Sequence, residues 1–309
     1  MTLGTPGFAW LNGEVVPWDR ATLHVRSDAI MRGGTVFEGV AAYWREDSSQ
    51  LSLFRVDAHL ARLARSMHVL RMELDYPLSA IAEAMRQLLK SCEFQEDVHV
   101  RPTVYFGEGS AFGFKRDEIE VGAFITAVPM PHERHHDTGL KVCVSSWRRI
   151  GDEDQPPRIK CGANYLNSRL AAVEAHVDGY DSAILLNKGG QVSEGPGACI
   201  VLVRGGHLVM PRTSDGTLES ITRSTVMELA RDTLGLEVEP RGVDRTELYE
   251  ADEVFECGTA HEVTPIIGVD GYVVGSGEVG PITARLRSLY DETVHGRSPR
   301  YASWLTDVY

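Results

Sequence analysis

Lysine is the scarcest charged residue in this sequence. Only five occur, Lys90, Lys115, Lys141, Lys160 and Lys188, among 31 basic residues. Acidic residues number 44, and the formal net charge is −13. A chain without basic excess lacks the electrostatic footprint of a nucleic-acid or anionic-membrane partner. Cysteine is also sparse: Cys92, Cys143, Cys161, Cys199 and Cys257 are odd in number and form no Cys-x-x-Cys pair. That argues against a disulfide framework and a zinc site, and it fits a reducing, cytoplasmic setting. His132, His135 and His136 lie together without a tetrahedral partner set, so no metal is expected. No apolar run approaches the length of a membrane span. Met1 to Trp10 has no basic segment followed by an apolar one, so no secretory signal is expected. Neither a Gly-x-Ser-x-Gly elbow nor a His-Glu-x-x-His pair supports a hydrolase. The glycine-rich stretch 107–113 is not followed by Gly-Lys-Ser/Thr, so it is not a phosphate loop.

What is present suits a globular protein of two domains or one large one: 309 residues, 43% hydrophobic and 24% charged. Ala9 to Val16 reads as a hairpin on Asn12-Gly13. Phe37–Trp44 and Leu51–Phe54 read as paired strands, and Asp57 as the cap of a helix running to Leu70. A second helix spans Leu78 to Glu93, and strands follow at 98–106 and 121–128. The run Pro129 to His136 breaks the pattern. The expected division is a small domain over 1–130, a linker over 131–139 and a large domain over 140–309. In the second half, strands are expected at 140–147, 181–187, 198–203, 207–210, 253–257 and 263–269, and helices at 222–234 and 281–294. Gly151 to Gln155 is an acidic loop and a candidate lid. Few strand–helix–strand crossovers appear, so the class is α+β with antiparallel-rich sheets and flanking helices.

Almost at mid-chain stands Pro156-Pro157-Arg158-Ile159-Lys160-Cys161-Gly162-Ala163-Asn164. The prolines stiffen its start. From Asn164, a candidate N-cap, Leu166, Leu170, Val173 and Val177 recur at helical spacing. Lys160 is therefore held on rigid backbone before a helix, among small and apolar neighbours, where an amine can be desolvated and made nucleophilic.

Around it, in order, come Val36-Phe37-Glu38-Gly39, His59-Leu60-Ala61-Arg62-Leu63, Gln191-Val192-Ser193-Glu194-Gly195-Pro196-Gly197, Leu218-Glu219-Ser220-Ile221-Thr222-Arg223 and Cys257-Gly258-Thr259-Ala260. In this order and spacing the set resembles the fold-type IV pyridoxal-phosphate enzymes, and within them the branched-chain amino acid aminotransferases. The resemblance runs from Asn12-Gly13 to Trp304-Leu305. It implies the two-domain fold of the D-amino acid aminotransferase type and the cofactor pyridoxal 5′-phosphate. It also implies transfer of an amino group from an L-amino acid, glutamate or a branched-chain one, to a 2-oxo acid, and at least a homodimer. By the same resemblance Lys160 is the Schiff-base lysine and proton shuttle, Glu194 pairs with the pyridine nitrogen, and Tyr165 bonds the ring hydroxyl. Arg62, Ile221, Thr222 and Thr259 take the phosphate. Phe37 and Gly39 line the substrate side, Arg101 receives the side-chain carboxylate of glutamate, and the turn at Ala260 receives the α-carboxylate.

The chain departs from the family's pattern in the substrate pocket. Arg32 and His99 stand where tyrosines are usual, Met130 where a tryptophan is usual, and Glu133 where another tyrosine is usual. Glu219-Ser220 replace a usual Pro-Gly. These changes imply a more polar pocket, in which Arg32 either meets an acidic or polar acceptor or points outward. They keep open a D-amino acid or (R)-amine transaminase and a lyase of the aminodeoxychorismate type. A non-enzymatic binder of the same fold is disfavoured, because a binder needs no Schiff-base lysine.

Overall fold

The computed structural model describes residues 6–109, 118–130, 135 and 137–309. Glu133, His132, His136, most of the expected linker and the tip of the glycine-rich loop lie outside the described residues. The chain forms two compact units, one of Met1–Pro131, Ile159–Ala163 and Val294–Tyr309, the other of His132–Arg158 and Asn164–Thr293. Neither unit is continuous in sequence, unlike the expected division at 130–140. The lysine stretch and the C-terminus both fold with the first unit.

The first unit contains β1 (Phe8–Leu11), β2 (Glu14–Pro17), β3 (Thr35–Phe37), β4 (Val40–Arg45), β5 (Gln50–Phe54), β6 (Val98–Gly109) and β7 (Ile119–Pro129). Its helices are α1 (Asp28–Arg32), α2 (Val56–Leu70) and α3 (Leu78–Cys92). Every described pairing in its sheet is antiparallel. The β1–β2 turn is the expected one, with Asn12 at φ 46° and Gly13 at φ 110°. Asp57 does not cap α2. Only Arg55, left-handed at φ 53°, separates β5 from the helix, so Asp57 falls inside the first turn, where its charge suits the helix dipole. Leu63 and Met67 of α2 and Ile81, Met85, Leu88 and Leu89 of α3 pack in one core with Val40, Leu51, Val98 and Val100.

The second unit contains β8 (Leu140–Arg148), β9 (Ser182–Leu186), β10 (Cys199–Arg204), β11 (His207–Met210), β12 (Val238–Pro240), β13 (Glu253–Gly258), β14 (Glu262–Val269) and β15 (Tyr272–Val273). Its helices are α4 (Tyr165–Val177), α5 (Ile221–Leu234), α6 (Glu247–Glu250) and α7 (Pro281–Val294). This sheet is mixed: β8–β9, β8–β14 and β11–β12 pair in parallel. The last strand, β16 (Leu305–Asp307), returns to the first unit and pairs with β5.

One local expectation at the head of α4 is corrected. Asn164 is itself helical (φ −63°, ψ −27°) and does not cap. Its side chain instead donates to the Pro156 carbonyl at 3.0 Å and accepts from Gln155. The large apolar residues of α4 face outward: Leu166 is 65% and Val177 77% exposed. The buried face is Ser168, Ala171 and Ala175. Alanines at this contact let the helix sit close to Cys143, Ala183 and Leu185 of the sheet, where leucines would not fit.

Candidate active site

Lys160 is placed by backbone hydrogen bonds on both sides. The Phe37 N–H donates to the Lys160 carbonyl at 2.9 Å, and the Lys160 N–H donates to Ser66 Oγ at 3.1 Å. Cys161 bridges antiparallel to Val36. The stretch thus behaves as a short extra strand beside β3. Strand alternation sends Ile159 and Cys161 into the core and leaves the Lys160 side chain half-buried on the other face. Its Nζ stands 4.9 Å from the centre of the Phe37 ring, and the Arg101 guanidinium stacks on that ring at 3.7 Å.

His99 and Arg101 alternate onto one face of β6. Burial is the main reason the His99 imidazole titrates low, at about 4, with the charges of Arg101 and Lys160 adding to it. A Cβ at Gly39 would come within 2.7 Å of His99 Nε2, so only glycine leaves the imidazole its place. Gly39→Ala should displace His99, cost about 1–3 kcal/mol in overpacking and raise KM. Denaturant unfolding and steady-state kinetics check this. Between its ordinary value of 6.5 and about 4, the His99 ring binds a proton in the unfolded chain but not in the folded one. Stability should therefore fall as pH drops through that window. His99→Gln should flatten the slope there, as read by urea melts across pH.

Behind Phe37 lies a fully buried ionic group. Arg62 donates to Glu38 through Nε at 2.8 Å and through Nη2 at 2.6 Å, and His59 Nδ1 stands 2.7 Å from Glu38 Oε2. Burial alone would raise the Glu38 pKa. The charge and hydrogen bonds of Arg62, with those of His59, bring it down to about 2. Met130 is buried in the same unit, its N–H on the Asp97 carbonyl. Arg32 is exposed and ion-paired with Asp28 of its own helix at 2.6 Å.

The second unit gathers the other candidates. Glu194 is 6% exposed. Its Oε1 meets Arg149 Nη2 at 2.6 Å, and its Oε2 accepts the Leu218 N–H at 2.8 Å. Arg149 is itself buried and also reaches the Gly216 carbonyl. Ser220 caps α5 by accepting the Arg223 N–H at 3.2 Å. Ile221 and Thr222 open that helix, so no helical carbonyl lies within reach of their N–H groups, and the dipole favours an anion there. Arg223 turns away, donating to the Pro211 carbonyl at 2.7 Å. Thr259 and Ala260 form the turn between β13 and β14, and Tyr165 opens α4. The loop 151–155 is tied by Lys188 to Glu153 at 2.9 Å and Asp154 at 2.5 Å.

The first unit therefore brings Lys160, Phe37, Gly39, Arg62, His99 and Arg101 into one neighbourhood, and the second brings together Glu194, Leu218 and the start of α5. Sequence reasoning missed Arg149, and it assigned no role to Glu38 or His59. The latter two stand in quoted motifs, but their pairing joins different elements. For Arg149, one of two adjacent arginines after Trp147, the sequence carries no sign of burial.

The family model for amino-transferase class IV matches residues 35–269. The chain belongs to the amino-transferase class IV family. A probable branched-chain-amino-acid aminotransferase of Aquifex aeolicus is 40% identical over 304 residues, covering 98% of this chain and 97% of the relative. The branched-chain amino acid aminotransferase of Thermobaculum terrenum, solved in its PLP form, superposes with TM-score 0.93 at 42% identity, covering 99% of each chain. The branched-chain aminotransferase of the thermophilic archaeon Thermoproteus uzoniensis, solved with norvaline, gives TM-score 0.93 at 38% identity, covering 98% of this chain and 100% of that one. This class IV chain is an aminotransferase of fold type IV, with the α+β architecture expected. No helix among its described residues is long and apolar enough to cross a membrane.

Proposed function

We propose that this aminotransferase carries the amino group of an L-amino acid, glutamate or a branched-chain donor, to a 2-oxo acid on bound pyridoxal 5′-phosphate. One observation carries the reading: Lys160 is fixed at both its N–H and its carbonyl while its amine emerges beside Phe37 and Arg101. The donor set fits the cofactor. It offers a primary amine for an aldehyde, a buried carboxylate for a ring nitrogen, and a helix start with hydroxyls for a phosphate.

When bound, pyridoxal 5′-phosphate supplies an aldehyde that takes the amine and a ring that draws electrons from the substrate Cα–H bond. The protein does the rest. Lys160 Nζ is the amine that would hold the cofactor, and the same amine would take and return the substrate Cα proton. Glu194, its oxygens held by Arg149 and the Leu218 N–H, keeps a proton on the ring nitrogen. Tyr165 donates to the ring hydroxyl. Arg62, Ile221, Thr222 and Thr259 hold the phosphate. Phe37 and Gly39 shape the substrate side, Arg101 takes a side-chain carboxylate, and the Ala260 turn takes the α-carboxylate. His99 and Arg101, with Met130 in place of an aromatic ring, give a pocket more polar than an all-aromatic one, suited to glutamate, while Arg32 is held by Asp28 on the exposed side of its own helix.

The assembly is read as at least a homodimer, supported by the apolar face that Leu166, Leu170, Val173 and Val177 would otherwise leave in water. Sedimentation velocity tests that. An odd number of cysteines with no Cys-x-x-Cys pair supports a reducing cytoplasm. The visible spectrum of the purified enzyme tests the central reading. A yellow band that L-glutamate shifts to shorter wavelength bears it out. A band moved only by a D-amino acid or an (R)-amine reassigns the donor. No band after added cofactor overturns the reading.

A further inference from the structure

We infer that Glu38 and His59 are positioning residues that set the angle at which Arg62 grips the cofactor phosphate; this rests on the proposed phosphate role of Arg62. Three ionisable side chains are withdrawn from water together: Glu38 is 0%, His59 3% and Arg62 3% exposed. Such a group persists in a core only when every member is paired. The pairing here is directional. Glu38 Oε1 accepts Arg62 Nε–H and Oε2 accepts Nη2–H, a side-on bidentate contact that fixes the plane of the guanidinium. Its Nη1 donors point away from the carboxylate, because the five N–H groups form a rigid planar fork.

His59 and Arg62 lie three residues apart on α2, so both reach Glu38 from one helix face. Because Glu38 is an ionised acceptor, the His59 nitrogen facing it carries the proton and donates to Oε2. That third contact stops the carboxylate from rotating and carrying the guanidinium with it. The Glu38 backbone is pinned as well, its N–H on the Pro102 carbonyl at 2.9 Å. The neighbouring Phe37 N–H holds the Lys160 carbonyl at 2.9 Å. Two adjacent residues therefore set the amine that takes the aldehyde and the guanidinium assigned to the phosphate. A rigid spacing between those two grips is what a ligand with an aldehyde at one end and a phosphate at the other requires.

The test is equilibrium titration of cofactor-free enzyme with pyridoxal 5′-phosphate and, separately, with pyridoxal, which lacks the phosphate, both followed by visible absorbance. Glu38→Gln should weaken pyridoxal phosphate roughly 10–100-fold, the range seen when an outer partner of a ligand-holding residue is lost. His59→Phe should weaken it about 3–10-fold, as expected for the loss of one hydrogen bond to a charged group. Neither should change pyridoxal affinity by more than about twofold, because pyridoxal never meets Arg62. Arg62→Lys, which keeps the charge but not the fork, should match Glu38→Gln. A merely structural role would weaken both ligands alike, and that outcome overturns the inference. So does a wild-type preference for the phosphate in folded Glu38→Gln and His59→Phe proteins while Arg62→Ala loses it. If Arg62→Ala itself keeps the preference, the phosphate reading of Arg62 falls and the positioning role falls with it. Should Glu38→Gln fail to fold, the His59→Phe titration decides alone.

Discussion

Lys160→Ala should transfer no measurable amino group: loss of proton transfer at a positioned base alone removes about 10²–10⁴ in rate, and loss of the covalent tether adds to it. The protein should still fold. The Lys160 side chain lies outside the core that Ile159 and Cys161 enter, and the backbone bonds to Phe37 and Ser66 do not involve it. Its melting temperature should therefore stay close to that of the parent, as for most substitutions that leave the core intact. Lys160→Arg should be equally inactive, since a guanidinium keeps the charge but is no nucleophile. A further sign follows from electrostatics. The Lys160 charge helps hold the His99 pKa down, after burial and Arg101. Removing it should move His99 upward and narrow the window of pH-dependent stability. Single-turnover assays with L-glutamate, with the visible spectrum alongside, read the first effect, and imidazole resonances followed across pH read the second. Transamination at wild-type rates in Lys160→Ala would falsify the assignment.

The second large effect is expected at Glu194, where catalysis and stability can be separated. Glu194→Ala leaves the Arg149 guanidinium buried without its carboxylate. Breaking a buried ion pair from one side costs about 3–5 kcal/mol, which lowers the melting temperature by on the order of 10 °C for a chain of this size. The same change removes the group proposed to keep the ring nitrogen charged, and kcat should fall about 10²–10³-fold, as when a preorganised electrostatic partner is lost. Glu194→Ala combined with Arg149→Met should recover most of the stability, because no uncompensated charge remains, and none of the activity. Calorimetry and kcat at saturating cofactor and substrate check the two halves. Activity restored by the double change would mean that Glu194 serves the fold and not the reaction.

How much of this was legible differs from element to element. Helix α3 was expected over 78–93 and spans Leu78–Cys92, because its apolar period is long and unbroken. The Asn12-Gly13 hairpin was legible because the turn dictates its own geometry. Strands β3, β12, β15 and β16 were not, since two or three residues carry no period. Leu305–Asp307 becomes a strand only because Ser52–Phe54, some 250 positions earlier, offers it an edge. The spacing of Leu166, Leu170, Val173 and Val177 located helix α4 but not its buried face: whether leucines or alanines turn inward depends on how closely the sheet approaches.

The candidate site divides along the same line. Lys160 could be singled out from residue type and context, because covalent attachment calls for an amine and only five lysines occur; Glu194, Arg62 and Thr222 were picked out by the resemblance of the ordered motifs to the fold-type IV enzymes. That Lys160 lies beside Phe37, that Glu38 receives Arg62 and His59, and that Arg149 stands against Glu194 are facts of folding. Each joins residues on separate elements; His59 and Glu38 are 21 positions apart, Arg62 and Glu38 24. A local pattern reports only on neighbours within a turn or a strand. Which charges share a buried space is set by how the elements pack, and the cost of leaving any one of them unpaired holds the arrangement together.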